Sequence, residues 1–371
     1  MDFKASLGRI PKFNAIGHAE KMNLDNAMRH ALSGYLGGVD GGGYWVEKLS
    51  ADWCDTFKVK YAIPCNSATS GLLAACMAAG IGPGDTVWAP SYSMSATAAC
   101  AKVLGATVVF IDIETTRFSM NMNNFTKTPP KAIIVTNLFG HPAYLSSMRS
   151  WCDSTNTIMI EDNAQSPFAM ENGHYAGTIG HIGVWSFNIH KAINAGEGGV
   201  VATNDSALSA RIQGAINHGE LGGTIEAGFN LRMTEPTAAI ACAQLAKGPK
   251  IIEGRRELAL ELTDMVKDIP WIIPPVEDVD CRHVYYIWAA RVQDNKRDVF
   301  CQMLSEDGIP IRAGYSPPLN RIFKSHQSCA VAQHLEDKEL ICFEVCGYSP
   351  RTQQMKKMRK IIQQTAEKLC H

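Results

Sequence analysis

The sequence predicts an α/β fold, a three-layer α/β/α arrangement on a mostly parallel central sheet, followed by a small α+β C-terminal domain. Two observations carry this. Between residues 61 and 203, short apolar runs alternate with helical stretches. Strands that alternate with helices pair in parallel, with helices covering both faces. After Asn204 the alternation stops and a long helical stretch begins, which marks a change of architecture.

Taken in order, the chain opens with an amphipathic helix over 18–32, a glycine-rich turn (GGVDGGG, 37–43) and a second helix over 44–57. Strands are expected near 61–64, 86–89, 106–111, 131–135 and 157–161, with helices near 67–80, 93–104 and 144–152. The runs IGVWSF (182–187) and GGVVAT (198–203) lie too close for a helical crossover, so at least one strand should be antiparallel. A helix is expected over 235–266, with Thr234 as N-cap and Pro236 in its first turn. HVYYIWAARV (283–292) reads as a strand, 297–306 as a helix and 351–369 as a final amphipathic helix. These elements divide the chain into a large domain over 1–249 and a small one over 250–371.

Composition narrows the function. Of 371 residues, 35 are Lys or Arg and 36 are Asp or Glu, so the formal net charge is −1. That is no electrostatic footprint for nucleic acid or an anionic membrane. The hydrophobic fraction of 46% supports a large core, and the charged fraction of 19% is below the usual value of about 25%. Low charge suggests surface buried between subunits. The opening MDFKASLGRI lacks an apolar signal core and no apolar run approaches a membrane span, so a cytoplasmic protein is expected. The 12 cysteines form no CxxC pair, so they read as reduced packing residues rather than zinc ligands.

Three segments carry chemistry. Cys65-Asn66-Ser67-Ala68-Thr69-Ser70-Gly71 lies between a strand and an alanine-rich helix. Free N–H groups and hydroxyls at a helix N-terminus suit a phosphate, although Ser67 or Thr69 could equally be a plain N-cap. Glu161-Asp162-Asn163-Ala164-Gln165 closes an apolar strand where α/β sheets bind ligands; a carboxylate there could hold a protonated ring nitrogen or simply cap the strand end. Ser186-Phe187-Asn188-Ile189-His190-Lys191 precedes Gly196-Glu197-Gly198-Gly199 on an irregular connection between buried strands. Desolvation there would activate Lys191 as a Schiff-base residue, the alternative being an ordinary loop lysine. A phosphate cup, a strand-end acid and a lysine about thirty residues later match what pyridoxal phosphate needs.

The chain resembles the DegT/StrS-type sugar aminotransferases, fold-type I pyridoxal-phosphate enzymes. The resemblance rests on CNSATSGLLAACMAAGIGPGDTVWAPSYSMSATA, IEDNAQS, GTIGHIGVWSFNIHKAINAGEGGVVATND, NHG (217–219) and GFNLRMTEPTAAIACAQL (228–245). It implies that Lys191 binds the cofactor and shuttles a proton, that Asp162 pairs with the ring nitrogen, and that Gln165 bonds the ring's hydroxyl. Ser67, Ala68, Thr69 and Ser186 would hold the phosphate. Asn230 would reach the phosphate in a neighbouring subunit, implying a homodimer with shared sites. Met94 stands where most members stack an aromatic ring, with Tyr92 as a substitute only if the loop is re-routed, and Asn163 could add a bond to the ring or substrate. The family's sugar dehydratases carry histidine in place of the lysine; here Lys191, six residues before Glu197, holds the aminotransferase register.

The implied reaction is a ping-pong transfer of an amino group from glutamate or glutamine to a keto-sugar, most often a nucleotide-linked keto-hexose. Arg312 and Tyr315 lie where members shape the acceptor pocket, and His190, His218 and Arg232 are further substrate-side positions. A cyclitol or other non-nucleotide ketone as acceptor, or a non-catalytic regulatory homologue, are the alternatives. Neither metal nor nucleic acid is expected.

Overall fold

The computed structural model describes residues 7, 9–29, 32–33, 43–220 and 224–370. Most of the glycine-rich turn at 37–43 therefore lies outside the described residues. Helix α1 (His18–Ala27) stops short of Leu32, closing through a tight turn in which Arg29 N–H donates to Asn26 at 3.0 Å. Next come α2 (Tyr44–Phe57), β1 (Tyr61–Cys65), α3 (Ala68–Ala78), β2 (Thr86–Pro90), α4 (Ala96–Val103), β3 (Thr107–Ile111) and β4 (Ala132–Thr136). They are followed by α5 (Leu145–Thr155), β5 (Ile158–Asp162), the short β6 (Met170–Glu171) and β7 (His174–Tyr175), β8 (Ile182–Ser186), β9 (Gly199–Thr203) and α6 (Ser206–Ile216).

Seven strands form the central sheet in the order β1-β9-β8-β5-β4-β2-β3. From β8 across to β3 all neighbours run parallel, whereas β9 is antiparallel to both β1 and β8. The period-two alternation of the strands explains the two cores. Met159 and Trp185 point to the face covered by α2, where Trp53 meets Trp185 with ring centroids 5.4 Å apart. Ile160 and Val184 point to the other face, where the small side chains Ala74, Ala75 and Cys76 let α3 lie close to the strands.

Helix α7 (Glu235–Val266) connects the two halves. It contains Pro249, yet runs on without a break. Gly248 beside it is required by packing, because a Cβ there would sit 2.4 Å from the Phe168 ring. Thr234 is the N-cap by position, but its hydroxyl meets that of Thr237 at 2.9 Å rather than a backbone N–H.

Beyond α7 lie β10 (Ile272–Ile273), β11 (Cys281–Arg282), β12 (Trp288–Val292), α8 (Arg297–Glu306), β13 (Ile311–Ala313), α9 (Leu319–Ile322), α10 (Ala330–His334), β14 (Leu340–Phe343) and α11 (Thr352–Leu369). An antiparallel sheet of order β10-β12-β14-β13 packs on α8 and α11 over a second core, to which Leu7 and Ile10 also contribute. The expected strand over 283–292 is shorter than its apolar pattern: only Trp288–Val292 pairs in the sheet. Residues 283–287 instead bond to the 3₁₀ turn after β4, Val284 N–H to Gly140 and Ile287 N–H to Phe139. All 12 cysteines are unbridged, and nine of them are buried. No described helix is long and apolar enough to cross a membrane.

Candidate active site

The site is built at the carboxyl edge of the central sheet. Adjacent residues of a strand point to opposite faces, so the acids ending β5 separate. Glu161 is buried and accepts hydrogen bonds from the backbone N–H groups of Gly177, Ile179 and Gly180 and from Asn137 Nδ2. It pins the 177–180 loop and is fully used. Asp162 turns towards α4, where its Oδ2 accepts from Thr97 Oγ1 at 2.6 Å and its Oδ1 from Ala164 N–H at 3.3 Å. Burial pushes the Asp162 carboxyl up from its ordinary pKa, while Thr97, Ala164 and the charge of Lys191 pull it down. Asn163 is not available to a ligand as expected: its amide donates to Ser166 and Ala176 carbonyls, and its oxygen accepts from Asn137.

Lys191 lies on the irregular connection between β8 and β9, held by a backbone bond to Asn188 at 2.8 Å. Its ammonium stands 4.5 Å from the centroid of the Tyr286 ring. Among the described residues no carboxylate forms an ion pair with it. The side chain keeps some exposed surface, but its dense surroundings lower its pKa against the opposing influence of Asp162 and Cys346. A lysine with a depressed pKa, in reach of a cleft and committed to no ion pair, is poised as a nucleophile.

The phosphate-cup segment meets the lysine segment directly. Ser67 is the N-cap of α3, its hydroxyl accepting from Ser70 N–H at 3.1 Å, so the capping role is real. Ser67 also bridges Gly198 in parallel register. A Cβ on Gly199 would lie 2.6 Å from Trp185 O and 2.8 Å from Ala68 N, so only glycine lets β9 pass this helix end. Ala68 is buried, Thr69 is exposed, and Ser186 ends β8 on the same side with its hydroxyl accepting from Asn188 N–H at 3.3 Å. Helix dipole and unpaired N–H groups converge here with two serines.

A second wall comes from the small sheet. Gln165 Nε2 donates to the Tyr315 hydroxyl at 2.9 Å, and Gln165 Oε1 accepts from Phe139 N–H at 2.8 Å. Tyr315 N–H donates to Glu336 Oε2 at 2.8 Å, and the Tyr92 hydroxyl donates to the same oxygen. Tyr92 is thus fully buried beneath Tyr315 and committed to Glu336, which removes it from the ring-stacking and substrate positions. Met94 is half-exposed on the rim, its sulfur accepting from Ala96 N–H at 3.1 Å. Arg312 is exposed, 5.5 Å over Tyr315 and 3.6 Å from Glu344.

Ile189, His190, Tyr286, Glu344, Cys346 and Tyr348 line a cleft of about 730 Å³ beside Lys191. The remaining positions form a separate group. Arg232 donates to Asn217 Oδ1 at 2.6 Å, and Asn217 pairs with Asn230 as an isolated bridge. Asn230 and His218 are exposed, and the strip containing them runs past the outer edge of β1, where Asn66 N–H donates to Leu231 O at 2.8 Å. Thr97, Tyr286 and Glu336 escaped the sequence reading. Thr97 sits in a hydroxyl-rich run after β2 and Tyr286 in an apolar run, and neither pattern distinguishes them from packing residues.

Residues 25–357 match the model of the DegT/DnrJ/EryC1/StrS aminotransferase family. The chain belongs to that family. This DegT-family protein is similar to the UDP-N-acetyl-3-dehydro-alpha-D-glucosamine 3-aminotransferase of Acidithiobacillus ferrooxidans, 31% identical over 79% of this chain and 81% of that one. It is 33% identical to the GDP-perosamine synthase of Escherichia coli O157:H7 over 58% of this chain, but spans only 62% of that relative. The solved aminotransferase of Psychrobacter cryohalolentis superposes with a TM-score of 0.89 at 23% identity, covering 98% of this chain and 100% of that one, and shares its fold.

The DegT-family protein is accordingly a transaminase whose cofactor is pyridoxal phosphate. The site fits that group. Lys191 offers an amine held in no ion pair among the described residues, Asp162 a buried carboxylate, and the α3 N-terminus brings the Ser67 hydroxyl and its first backbone N–H groups to the same edge as Ser186. Ser67, Ser186 and the backbone around Ala68 would take its phosphate, Asp162 its ring nitrogen and Lys191 its aldehyde.

Proposed function

We propose that this protein transfers the amino group of glutamate or glutamine to a nucleotide-linked keto-hexose in two successive half-reactions at one site. The observation that carries the reading is the Lys191 amine, held in no ion pair among the described residues, under the influence of the Asp162 charge and 4.5 Å from the ring of Tyr286, a residue that lines the 730 Å³ cleft. The names of the sugar-nucleotide relatives support the acceptor class.

When bound, pyridoxal phosphate supplies an aldehyde that captures amines and a ring that withdraws electrons. This chain's residues do the rest. Burial lowers the pKa of Lys191, which makes its Nζ a readier donor and acceptor of a proton than an exposed lysine, as a general base and acid must be. The Asp162 carboxylate keeps a proton on the ring nitrogen, and Thr97 fixes its orientation. Gln165, held by Phe139 and Tyr315, directs its amide to the ring's hydroxyl side. Arg312, 3.6 Å from the cleft-lining Glu344, would meet an anionic acceptor locally, as a near-neutral chain offers no global positive field.

We infer also that two copies of the chain share their sites. Ile189 and Phe229 are large, apolar and 62% and 52% exposed on loops flanking Lys191 and Asn230. Large apolar side chains left open beside both segments would be covered by a partner chain, and Asn230 would then serve the neighbour's phosphate.

The test is optical. Purified protein should be yellow with bound cofactor, and glutamate or glutamine should bleach that band; a keto-sugar acceptor should restore it. Lys191→Ala should abolish the band change. A wild-type protein that binds the cofactor but responds to neither donor would overturn the reading. Mass spectrometry with nucleotide keto-sugars and inososes then decides the acceptor.

A further inference from the structure

A second cavity, of about 540 Å³, lies beside the cleft and shares Phe13, Asn14 and Tyr348 with it. We propose that it is an oxyanion site, taking a carboxylate or phosphate group, with Arg255 as its anchor.

The argument begins with two consecutive arginines on α7. Arg256 is fully used, pairing with Glu277 at 3.0 Å and donating to the His283 carbonyl. Arg255 lines the cavity and is only 4% exposed, yet its Nε and Nη1 have no hydrogen-bond partner and no described carboxylate pairs with it. The Phe13 ring lies 4.5 Å from its guanidinium carbon. A cation over a ring recovers only a small part of what a buried, unpaired charge costs. The guanidinium fork matches the geometry of a carboxylate or phosphate.

The walls add what an anion needs. Lys250 lines the cavity one turn before Arg255, and Ser349 adds a hydroxyl. Thr352, the first residue of the 18-residue α11, brings the positive end of that helix to the same space. Glu257 and Glu261 stand on the exposed outer wall, so the space favours a compact anion with little net charge over a polyanion.

The cavity is preformed. Its roof, residues 11–15, is tied on one side by Phe13 N–H to Gly347 and Ser349 N–H to Pro11. On the other side Lys247 and Gln244 donate to Ala15 O, at 2.6 and 3.2 Å. Lys247 also pairs with Glu20, so it is not free to neutralise a ligand.

The experiment uses holoenzyme saturated with pyridoxal phosphate, so the phosphate cup is filled, titrated with inorganic phosphate or acetate at constant ionic strength. Saturable stabilisation in thermal unfolding by one of the two identifies the oxyanion. It should weaken about tenfold in Arg255→Lys, which keeps the charge and loses the fork, and measurably in the surface variant Lys250→Gln. The visible absorption of the cofactor should stay unchanged in both. Equal stabilisation of wild type and both variants, or no saturable effect of either anion, overturns the proposal. Failure of the transaminase reading is separate, since it shows as an absent donor response in an otherwise normal spectrum.

Discussion

Gln165 and Tyr315 meet across the two halves of the molecule: the amide of a residue just past β5 donates to the phenol of a residue just past β13, at 2.9 Å. Glu336 holds the other end of that connection, accepting from Tyr315 N–H and the Tyr92 hydroxyl. The small sheet therefore sets the orientation of an amide at the end of the central sheet. Gly314 allows this, since a Cβ there would lie 2.4 Å from the Glu336 carboxylate.

If that chain of bonds positions Gln165, Tyr315→Phe should slow donor-driven bleaching of the cofactor about tenfold, the worth of one oriented hydrogen bond. Cofactor affinity should hardly change. Glu336→Gln should act in the same direction, and the double variant should be no slower than Tyr315→Phe alone. Additive losses in stopped-flow bleaching would mean that the two side chains act independently.

Gly199→Ala tests the close passage of β9 past the α3 N-terminus. The new methyl meets Trp185 O and Ala68 N at 2.6 and 2.8 Å, both backbone atoms that cannot swing away. Urea unfolding should show a loss of about 1–3 kcal/mol. Cofactor affinity should fall more than it does for any surface substitution, because the displaced atoms form the cup.

Glu235 caps a helix that is distant in sequence. Fully buried at the start of α7, its carboxylate accepts from the N–H groups of Trp45 and Val46 at 2.8 and 2.9 Å, opening α2. Glu235→Ala leaves two donors unsatisfied and should cost about 2–4 kcal/mol in chemical denaturation. Glu235→Gln, which keeps one acceptor oxygen, should cost less.

His141 and His283 form a buried pair with ring centroids 4.9 Å apart. Burial drives His141 down to about 4 and lowers His283 as well. The folded pKa lies below the unfolded value of 6.5, so the unfolded chain binds the extra proton first. Stability is thus complete above pH 6.5 and lost as pH falls towards 4, by about 3 kcal/mol for His141. Denaturation at a series of pH values should show that slope, and His141→Phe should flatten it. An unchanged slope would count against the assignment.

Local pattern made much of this protein legible. Alternating apolar runs placed all seven strands of the central sheet to within two residues, and the short spacing of β8 and β9 revealed their antiparallel pairing. Ser67 and Asp162 could be singled out because each stands at a helix or strand boundary, and Lys191 because it lies on the short connection between two apolar runs, features that sequence marks directly. The strand expected over 283–292 came out too long for an informative reason: residues 283–287 are apolar because they pack on the 138–140 turn, and apolar character alone cannot distinguish that from pairing in a sheet.

Periodicity and capping are short-range, so they carry the order of elements and the ends of strands, and with them the chemistry of Asp162 and Lys191. Contacts between distant residues are decided only when the two sheets pack. Gln165 finds Tyr315 150 positions away, Tyr92 finds Glu336 at a separation of 244, and Glu235 caps α2 from 190 residues downstream. In each pair a polar group is withdrawn from water and needs a partner, and packing supplies one from whatever segment lies nearest. The tertiary structure therefore tied Tyr92 and Asn163 to protein partners and brought Thr97 to Asp162, Tyr286 to Lys191 and Glu336 to Tyr315.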